Sequence, residues 1–379
     1  MIDLEQILDY LDPINRYEIS NDEGYRDGQL GQVLPMYEEE FPDLTEVDIV
    51  IVGCPETRGS WQLFSELNPA NEIRHQFYAA YYWHQDIKIA DIGNVKRGAG
   101  LLDTHFALKE VLTALYDAGK TVIVLGGSHD LTLSQYKVFV DRKNIIEAVC
   151  VDALIDLNLE SSNKSEQFLM EMLTGEPNYI RHYNHIGFQS YYVHPRMLET
   201  MDKLRFDCYR VGTVKERIEE MEPVIRSCSL MSFDISAFAN SFSPASRVSP
   251  NGFNGEEACT LMQYAGMSME MKSVGVYGYI PEHDKDQLSA KQIAHMLWYF
   301  IDGRSRALRE APLTKRDSFR EFQIAFGEID ALFLQSKKTG RWWMQLPDEK
   351  FIPCSYTDYL TASNNEIPER WFRAQERSA

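Results

Sequence analysis

Six short apolar runs, rich in β-branched residues, recur between residues 48 and 278 and are separated by longer amphipathic segments. Short apolar runs of this kind predict buried strands, here over 48–53, 121–126, 148–152, 185–188, 229–234 and 273–278. Apolar residues recur at helical spacing over 104–119, 165–175, 256–271 and 289–303, which predicts helices there. Alternating buried strands and helices are typical of a parallel sheet covered on both faces. The sequence therefore predicts an α/β fold with three layers.

Polar residues follow three of these predicted strands directly. They form the segments GGSHD (126–130), DALID (152–156) and SFDIS (232–236). Ligands of parallel α/β sheets bind where the strands end. One histidine and several aspartates are therefore expected to meet at that edge of the sheet.

The three segments resemble the ureohydrolase signatures GGDHS, DAHxD and SxDxD, with which arginases, agmatinases and formimidoylglutamases hold two manganese ions. The resemblance covers about residues 48–303 and implies a three-layer α/β/α domain with a mainly parallel sheet, as in the arginase and deacetylase folds. The segment NGFNGEEA (251–258) resembles the formimidoylglutamase-like members. Trimers and hexamers are common in that family, so the resemblance also implies a homo-oligomer.

The resemblance implies one complete metal site and one incomplete site. It assigns one metal to His129, Asp152, Asp156 and Asp234, a hard, oxygen-rich ligand set that suits Mn²⁺ or another divalent metal. The second metal would share two of these aspartates and take its own ligands from the positions of Leu154 and Ser236. Leucine cannot coordinate a metal, and a neutral hydroxyl replaces a carboxylate poorly. One Mn²⁺ is therefore expected, and a second metal is not.

Two residues match family positions that contact substrate. Asn158 follows the DALID segment, and Glu257 lies in NGFNGEEA. Each also has a structural interpretation, because asparagine is common in turns and an acidic residue is favourable at a helix N-terminus. His182, His185 and His194 flank one predicted strand and are the candidates for replacing the missing imidazole, although such histidines more often lie at the surface or in a satisfied core.

Composition excludes some partners and compartments. A formal net charge of −19 argues against nucleic acid as a partner. No run approaches the ~18 apolar residues that a membrane span needs, so membrane insertion is not expected. The six cysteines are scattered without a CxxC pair, which favours buried free thiols in a reducing compartment. With no basic leader at the N-terminus, the sequence predicts a cytoplasmic protein.

Both ends of the chain depart from the strand–helix alternation. We expect an N-terminal arm over 1–46, the ureohydrolase-like domain over 47–303 and a C-terminal extension over 304–379 that contains a β-hairpin. Trp342 and Trp343 are adjacent on a predicted strand and should face opposite sides. With one of them in the core and the other exposed, the extension would offer a surface for a protein partner.

Three hypotheses for function follow. The favoured one is a catalytically impaired or inactive ureohydrolase relative with a binding or assembly role, because both losses fall on one metal site. The alternative is a mononuclear hydrolase of a C–N bond in a linear amidine, such as a guanidino or formimino compound. A third is a small-molecule sensor that uses the same cavity without turnover.

Overall fold

The computed structural model describes residues 4–20, 24–60, 65–158 and 160–378. Within these residues, nine strands form one sheet in the order β1-β3-β2-β4-β9-β8-β5-β6-β7, in which all neighbours are parallel except β1 and β3. The strands are β1 (Leu11–Asp12), β2 (Ile49–Cys54), β3 (Ile89–Val95), β4 (Thr121–Gly126), β5 (Ile146–Val151), β6 (Ile180–Phe188), β7 (Asp207–Arg210), β8 (Leu230–Asp234) and β9 (Ser273–Tyr277).

Helices cover both faces of this sheet. They are α1 (Arg16–Ile19), α2 (Leu30–Val33), α3 (Pro69–Phe77), α4 (Leu101–Asp117), α5 (Thr132–Asp141), α6 (Phe168–Thr174), α7 (Pro195–Lys203), α8 (Val211–Glu216), α9 (Met221–Arg226), α10 (Gly255–Met267) and α11 (Leu288–Ala307). In β2, Ile49 and Ile51 pack with α3, α10 and α11, whereas Val50 and Val52 pack with α4 on the other face. Alternate residues of one strand thus pack into two hydrophobic cores, one on each face of the sheet, which confirms the predicted three-layer α/β/α fold.

The sheet contains strands that the sequence pattern did not predict. In β3, the polar side chains of Asp91 and Asn94 interrupt the apolar run, yet both are buried. The buried guanidinium of Arg74 forms a bidentate pair with Asp91, with both N–O distances at 2.9 Å, and its third nitrogen donates to Asn94. A buried charge is tolerated when it is paired and hydrogen-bonded in this way. The strand is therefore stable although its sequence looks too polar.

The C-terminal extension forms a second, antiparallel sheet. Its strands are β10 (Phe319–Phe326), β11 (Ile329–Ser336), β12 (Trp342–Gln345) and β13 (Phe351–Cys354), in that order across the sheet. Two helices follow, α12 (Tyr356–Ser363) and α13 (Glu369–Ser378). The predicted hairpin is present as β11 and β12. The domain boundaries at 46 and 303 stay a prediction.

The two tryptophans of β12 face opposite sides as predicted, but neither is exposed. Trp342 packs under α12 and Trp343 packs against Phe319, and each is 7% exposed. The expectation of one exposed tryptophan was wrong, because other side chains pack against both faces of the sheet in the extension. A partner that binds the extension stays a prediction. Among the described helices, none is long and apolar enough to cross a membrane.

Candidate metal centre

Four side chains meet at the carboxyl ends of three central strands. His129 begins the short turn after β4, Asp152 follows β5 directly, and Asp234 is the last residue of β8. Strands β4, β9, β8 and β5 are neighbours in the sheet, so these ends lie side by side. Asp156 closes the DALID segment and joins the same group. The structure thus brings together all four residues that the sequence predicts as metal ligands; ligation itself stays a prediction.

Three carboxylates surround one imidazole nitrogen. The Nδ1 atom of His129 lies 3.1 Å from Oδ2 of Asp152, 2.9 Å from Oδ2 of Asp156 and 3.7 Å from Oδ2 of Asp234. Despite these short distances, the buried Nδ1 atom makes no well-directed hydrogen bond. An imidazole nitrogen that converges with three carboxylate oxygens without bonding to them is an arrangement that a shared cation satisfies. The residues present therefore fit a divalent metal.

The electrostatics of the cluster support the same conclusion. Burial, together with the charge of Asp152, raises the pKa of Asp156 well above its usual value. The same two causes raise the pKa of Asp234 to about 7. Burial also opposes the charge of His129, but Cys150 and then the carboxylates of Asp152 and Asp156 raise the pKa of the imidazole overall. Without a cation, the cluster therefore retains protons, and a divalent metal would displace them.

The other nitrogen of His129 faces away from the carboxylates. Its Nε2 atom lies 3.2 Å from the hydroxyl of Ser232 and 3.8 Å from Sγ of Cys150. His129, Cys150 and Asp152 also form a group whose ligand atoms lie within 4.8 Å of one another. An ion beside Cys150 would use Nε2, however, whereas three carboxylate oxygens converge on Nδ1. We therefore assign the metal position to the Nδ1 side and the positioning of the ring to Ser232.

The residues on either side of His129 do not orient its ring. The hydroxyl of Ser128 donates to the Glu56 carbonyl at 3.2 Å. The carboxylate of Asp130 pairs with Nε2 of His105 at 2.8 Å and accepts a hydrogen bond from Ser165 at 3.0 Å. Both residues therefore anchor neighbouring loops.

The two lost ligand positions both contact Asp152. The hydroxyl of Ser236 donates a short hydrogen bond to Oδ1 of Asp152, and the backbone amide of Leu154 donates to the same oxygen at 2.9 Å. The amide of Ser236 also donates to Oδ1 of Asp234 at 2.8 Å. In both aspartates, Oδ2 faces His129 and Oδ1 is bonded by protein donors.

The cluster forms the floor of an open cavity of about 390 Å³. The other side chains that line it include Ser60, Leu154, Asn163, Ser165, Glu166, Ser236, Ser246, Arg247, Val248, Ile280 and His283. The guanidinium of Arg247 lies 3.2 Å from Nε2 of His283, so the cavity wall carries a positively charged side chain above the acidic floor. No sequence motif indicates Arg247, because the polar loop that contains it has neither helical nor strand periodicity.

The two predicted substrate contacts lie outside this cavity lining. Asn158 bonds to Glu166 and caps the amide of Glu160, so its side chain closes a turn. Glu257 accepts hydrogen bonds from the amide of Asn254 at 2.8 Å and from Lys215 at 2.7 Å, so it caps the N-terminus of α10. Both side chains thus make the contacts of the structural interpretation, and substrate contact by either residue stays a prediction.

None of the three candidate histidines replaces the missing imidazole. His182 pairs with Asp207 at 3.0 Å, and His194 caps α7. His185 comes closest, with Nε2 at 3.2 Å from the carbonyl oxygen of Asp152, but it contacts the backbone and not the carboxylate. Besides His129, the histidine that lines the cavity among the described residues is His283, which contacts Arg247.

Comparison with known families decides the relationship. The sequence profile of the arginase family matches residues 47–302, which is well over half of the chain. The chain belongs to the arginase family. The matched region includes the four converging ligands and both altered positions, and it ends before the antiparallel sheet. A search of curated proteins found no match.

Solved structures of arginase-family proteins share this fold. A formiminoglutamase from Trypanosoma cruzi, solved with Mn²⁺, superposes with a TM-score of 0.61 at 15% identity and covers 70% of this chain and 99% of its own. The formimidoylglutamase from Bacillus subtilis gives 0.61 at 15% identity, with coverages of 72% and 95%. Agmatine ureohydrolase of Thermoplasma volcanium gives 0.57 at 20% identity, with coverages of 69% and 92%. At these identities the likeness concerns the fold alone.

Proposed function

We propose that this arginase-family protein binds one divalent metal, best suited to Mn²⁺, and is a catalytically impaired relative of the ureohydrolases with a binding or assembly role. The observation that supports the proposal is that the two carboxylate oxygens of Asp152, like those of Asp234, have different partners. In each carboxylate, Oδ2 faces His129, and Oδ1 accepts hydrogen bonds from Ser236 or Leu154.

A bridging carboxylate must offer one oxygen to each of two ions. Here the oxygens that would face a second ion are held by donors that stand at the lost ligand positions. Ser236 is 5% exposed, so its hydrogen bond to Asp152 is shielded from water. A second ion would compete with these donors for the lone pairs of Oδ1 and would gain no imidazole and no further carboxylate in return. The local structure therefore favours one ion.

The consequence for catalysis follows from charge. When bound, a divalent cation supplies a Lewis acid at the cavity floor. Three ionised carboxylates more than offset the charge of a single divalent ion, so it polarises a neighbouring group less than a pair of ions does. Leu154 adds an apolar side chain where an imidazole would bind a metal. The chain thus keeps a site for a cation and loses the second Lewis acid.

The alternative of a mononuclear amidine hydrolase has less support. It relied on Glu257 to recognise a cationic substrate, and this carboxylate caps α10 and pairs with Lys215. Glu166 is the remaining acidic side chain of the cavity wall outside the metal cluster, among the described residues. Glu166 accepts a hydrogen bond from Asn163 at 3.1 Å, so its carboxylate stabilises the loop in which it lies.

An assay of turnover tests the proposal. The protein loaded with Mn²⁺ should release no urea, formamide or ammonia from a panel of guanidino and formimino compounds above the rate of an Asp152→Ala control. The control shares any contaminating enzyme but lacks the shared ligand. Robust release that Asp152→Ala abolishes would contradict the proposal and favour the mononuclear hydrolase.

A further inference from the structure

The C-terminal sheet carries a second cleft, of about 470 Å³, outside the arginase-matched residues. It lies between the sheet and the N-terminal turn of α12 and is lined by Phe322, Gln335, Trp342, Tyr356 and Tyr359. The pairing of Gln335 with Trp342 across β11 and β12 places both on one face of the sheet. Four of the five lining residues are aromatic.

The aromatic rings contact one another, and two pairs of them are stacked. The ring of Trp342 lies 4.7 Å from that of Tyr359 at 29° and 5.3 Å from that of Phe322 at 31°. Tyr356 continues the stack at 21° to Tyr359, and 55% of its surface is exposed. The cleft is therefore open to solvent at Tyr356, with Phe322 and Tyr359 half-buried beside it and the buried ring of Trp342 beneath.

Polar groups at the cleft are available for a ligand. Within the described residues, no hydrogen bond engages the indole nitrogen of Trp342 or the hydroxyls of Tyr356 and Tyr359. Gln335 accepts a hydrogen bond from Arg320 at 3.3 Å, and the two residues are paired across β10 and β11. Arg320 is exposed and has no carboxylate partner in the described chain. One end of the platform thus carries an unpaired positive charge on a protein with a net charge of −19.

The platform is held rigidly from below. Arg226 donates to the carbonyl oxygen of Trp342 at 2.8 Å and stacks on the ring of Trp343 at 4.6 Å. The N-terminus of α12 is closed by reciprocal bonds between Ser355 and Asp358, and Arg370 of α13 pairs with Asp358 at 2.9 Å. A preorganised surface loses little entropy on binding.

We propose that this cleft binds a proline-rich peptide segment of a partner protein, with an acidic residue of that segment beside Arg320. Proline-rich segments are already extended, and they dock in open, aromatic-lined grooves in which donors meet their carbonyl oxygens. The stacked rings supply the faces, and the indole and hydroxyl groups supply the donors. Arg320 sets the direction in which the peptide binds, because its positive charge complements the carboxylate of the peptide.

Isothermal titration calorimetry with synthetic peptides tests the proposal on the full-length protein. The probes are a hexaproline peptide with two C-terminal aspartates, the same peptide with two lysines, and a Gly-Ser peptide of equal length with two aspartates. We expect saturable binding of the acidic proline peptide, weaker binding of the basic one and none of the Gly-Ser peptide. Tyr356→Ala should weaken binding about tenfold, which corresponds to about 1.4 kcal/mol, and Tyr356→Phe should retain most of it.

Two further variants separate recognition from folding. Arg320→Glu should reverse the preference between the acidic and the basic peptide, and its melting temperature should match the wild type because the side chain is exposed. Tyr17→Ala, at a tyrosine that is 95% exposed elsewhere on the surface, should change nothing. Absence of binding at millimolar peptide, equal binding of the Gly-Ser peptide, or unchanged binding by Tyr356→Ala would overturn the proposal. Binding of adenosine or an oligosaccharide in place of the proline peptide would overturn it as well. The result is independent of the metal site.

Discussion

The imidazole of His129 is fixed by one contact on the side away from the carboxylates. Its Nε2 atom meets the hydroxyl of Ser232, which leaves Nδ1 directed at Asp152 and Asp156. Partners of this kind set the tautomer and the orientation of a metal-binding histidine. The histidine therefore depends on a serine that belongs to a different strand.

Replacing that serine should weaken metal binding without removing a ligand. For Ser232→Ala we expect Mn²⁺ affinity to fall about 10- to 100-fold, because the ring loses its orienting hydrogen bond. Calorimetric titration with Mn²⁺ measures the change. Ser134→Ala is the matched control, since that buried hydroxyl contacts His105 and not His129. Equal affinities of wild type and Ser232→Ala would show that the packing of the ring suffices.

The pH dependence of metal binding follows from Asp234. Burial and the charge of Asp152 raise its pKa from 3.8 to about 7. Proton binding therefore stabilises the metal-free fold, and this contribution is lost as pH rises through about 7. The proton must leave before a metal binds, so this carboxyl group alone should raise Mn²⁺ affinity about fivefold between pH 6 and pH 7 and about twofold between pH 7 and pH 8. Titrations at pH 6, 7 and 8 measure this, and a flat profile would contradict it.

The sequence could predict the metal residues better than the substrate residues. The four candidate ligands end strands or lie in short turns after them, so the sheet itself positions them. Asn158 lies in the loop after β5 and Glu257 in the first turn of α10, where local hydrogen bonds decide which way each side chain points. Glu166 bonds to Asn158 and Lys215 bonds to Glu257, and no sequence motif indicates those contacts.

At the scale of elements, apolar patterning predicted the central strands and missed those with buried charges. Strand β3 carries Asp91, whose partner Arg74 lies on α3, so its burial depends on a tertiary pair. Strand β6 begins at Ile180, five residues before its apolar pattern starts, because His182 and Asn184 are buried through partners. Edge strand β7 is short and half-buried. Periodicity cannot reveal such pairs before the fold is known.

Helix α13 is attached to the main sheet through one acidic residue of β7. Asp207 lies 2.6 Å from Arg373, 3.4 Å from Arg377 and 3.0 Å from His182. Burial raises the pKa of Asp207, but the bond to His182 and the two arginines lower it overall. The ionised carboxylate therefore stabilises the fold above its usual pKa of 3.8, and this contribution is lost as pH falls through the lower folded value.

Neutralising this residue should loosen the attachment. For Asp207→Asn we expect the free energy of unfolding at pH 7 to fall by about 1–3 kcal/mol, because a largely buried carboxylate loses its charge-assisted bonds. Urea denaturation measures the loss. Glu369→Gln is the control, because this carboxylate is 80% exposed and pairs with the same Arg373, so it should cost less than about 0.5 kcal/mol. Equal losses in the two variants would contradict the account.

At the scale of the whole molecule, an arginase-family domain and an added sheet share one interface. Glu222 of α9 pairs with both Arg226 and Arg341, and Arg341 donates to the carbonyl oxygen of Met267 at the end of α10. Trp343 packs on Arg226 at the same place. The metal cavity opens at the carboxyl edge of the main sheet, whereas the aromatic cleft lies on the added sheet. The two proposed binding sites are therefore separate, one within the arginase-family domain and one outside it.

The metal content of the purified protein, measured by elemental analysis after saturation with Mn²⁺ and removal of free ions, tests the central claim most directly. We predict one tightly bound ion per chain for the wild type and two for the double variant Leu154→His with Ser236→Asp, because that variant restores the missing ligands and removes the hydroxyl that donates to Oδ1 of Asp152. Two ions in the wild type, or none, would contradict the account.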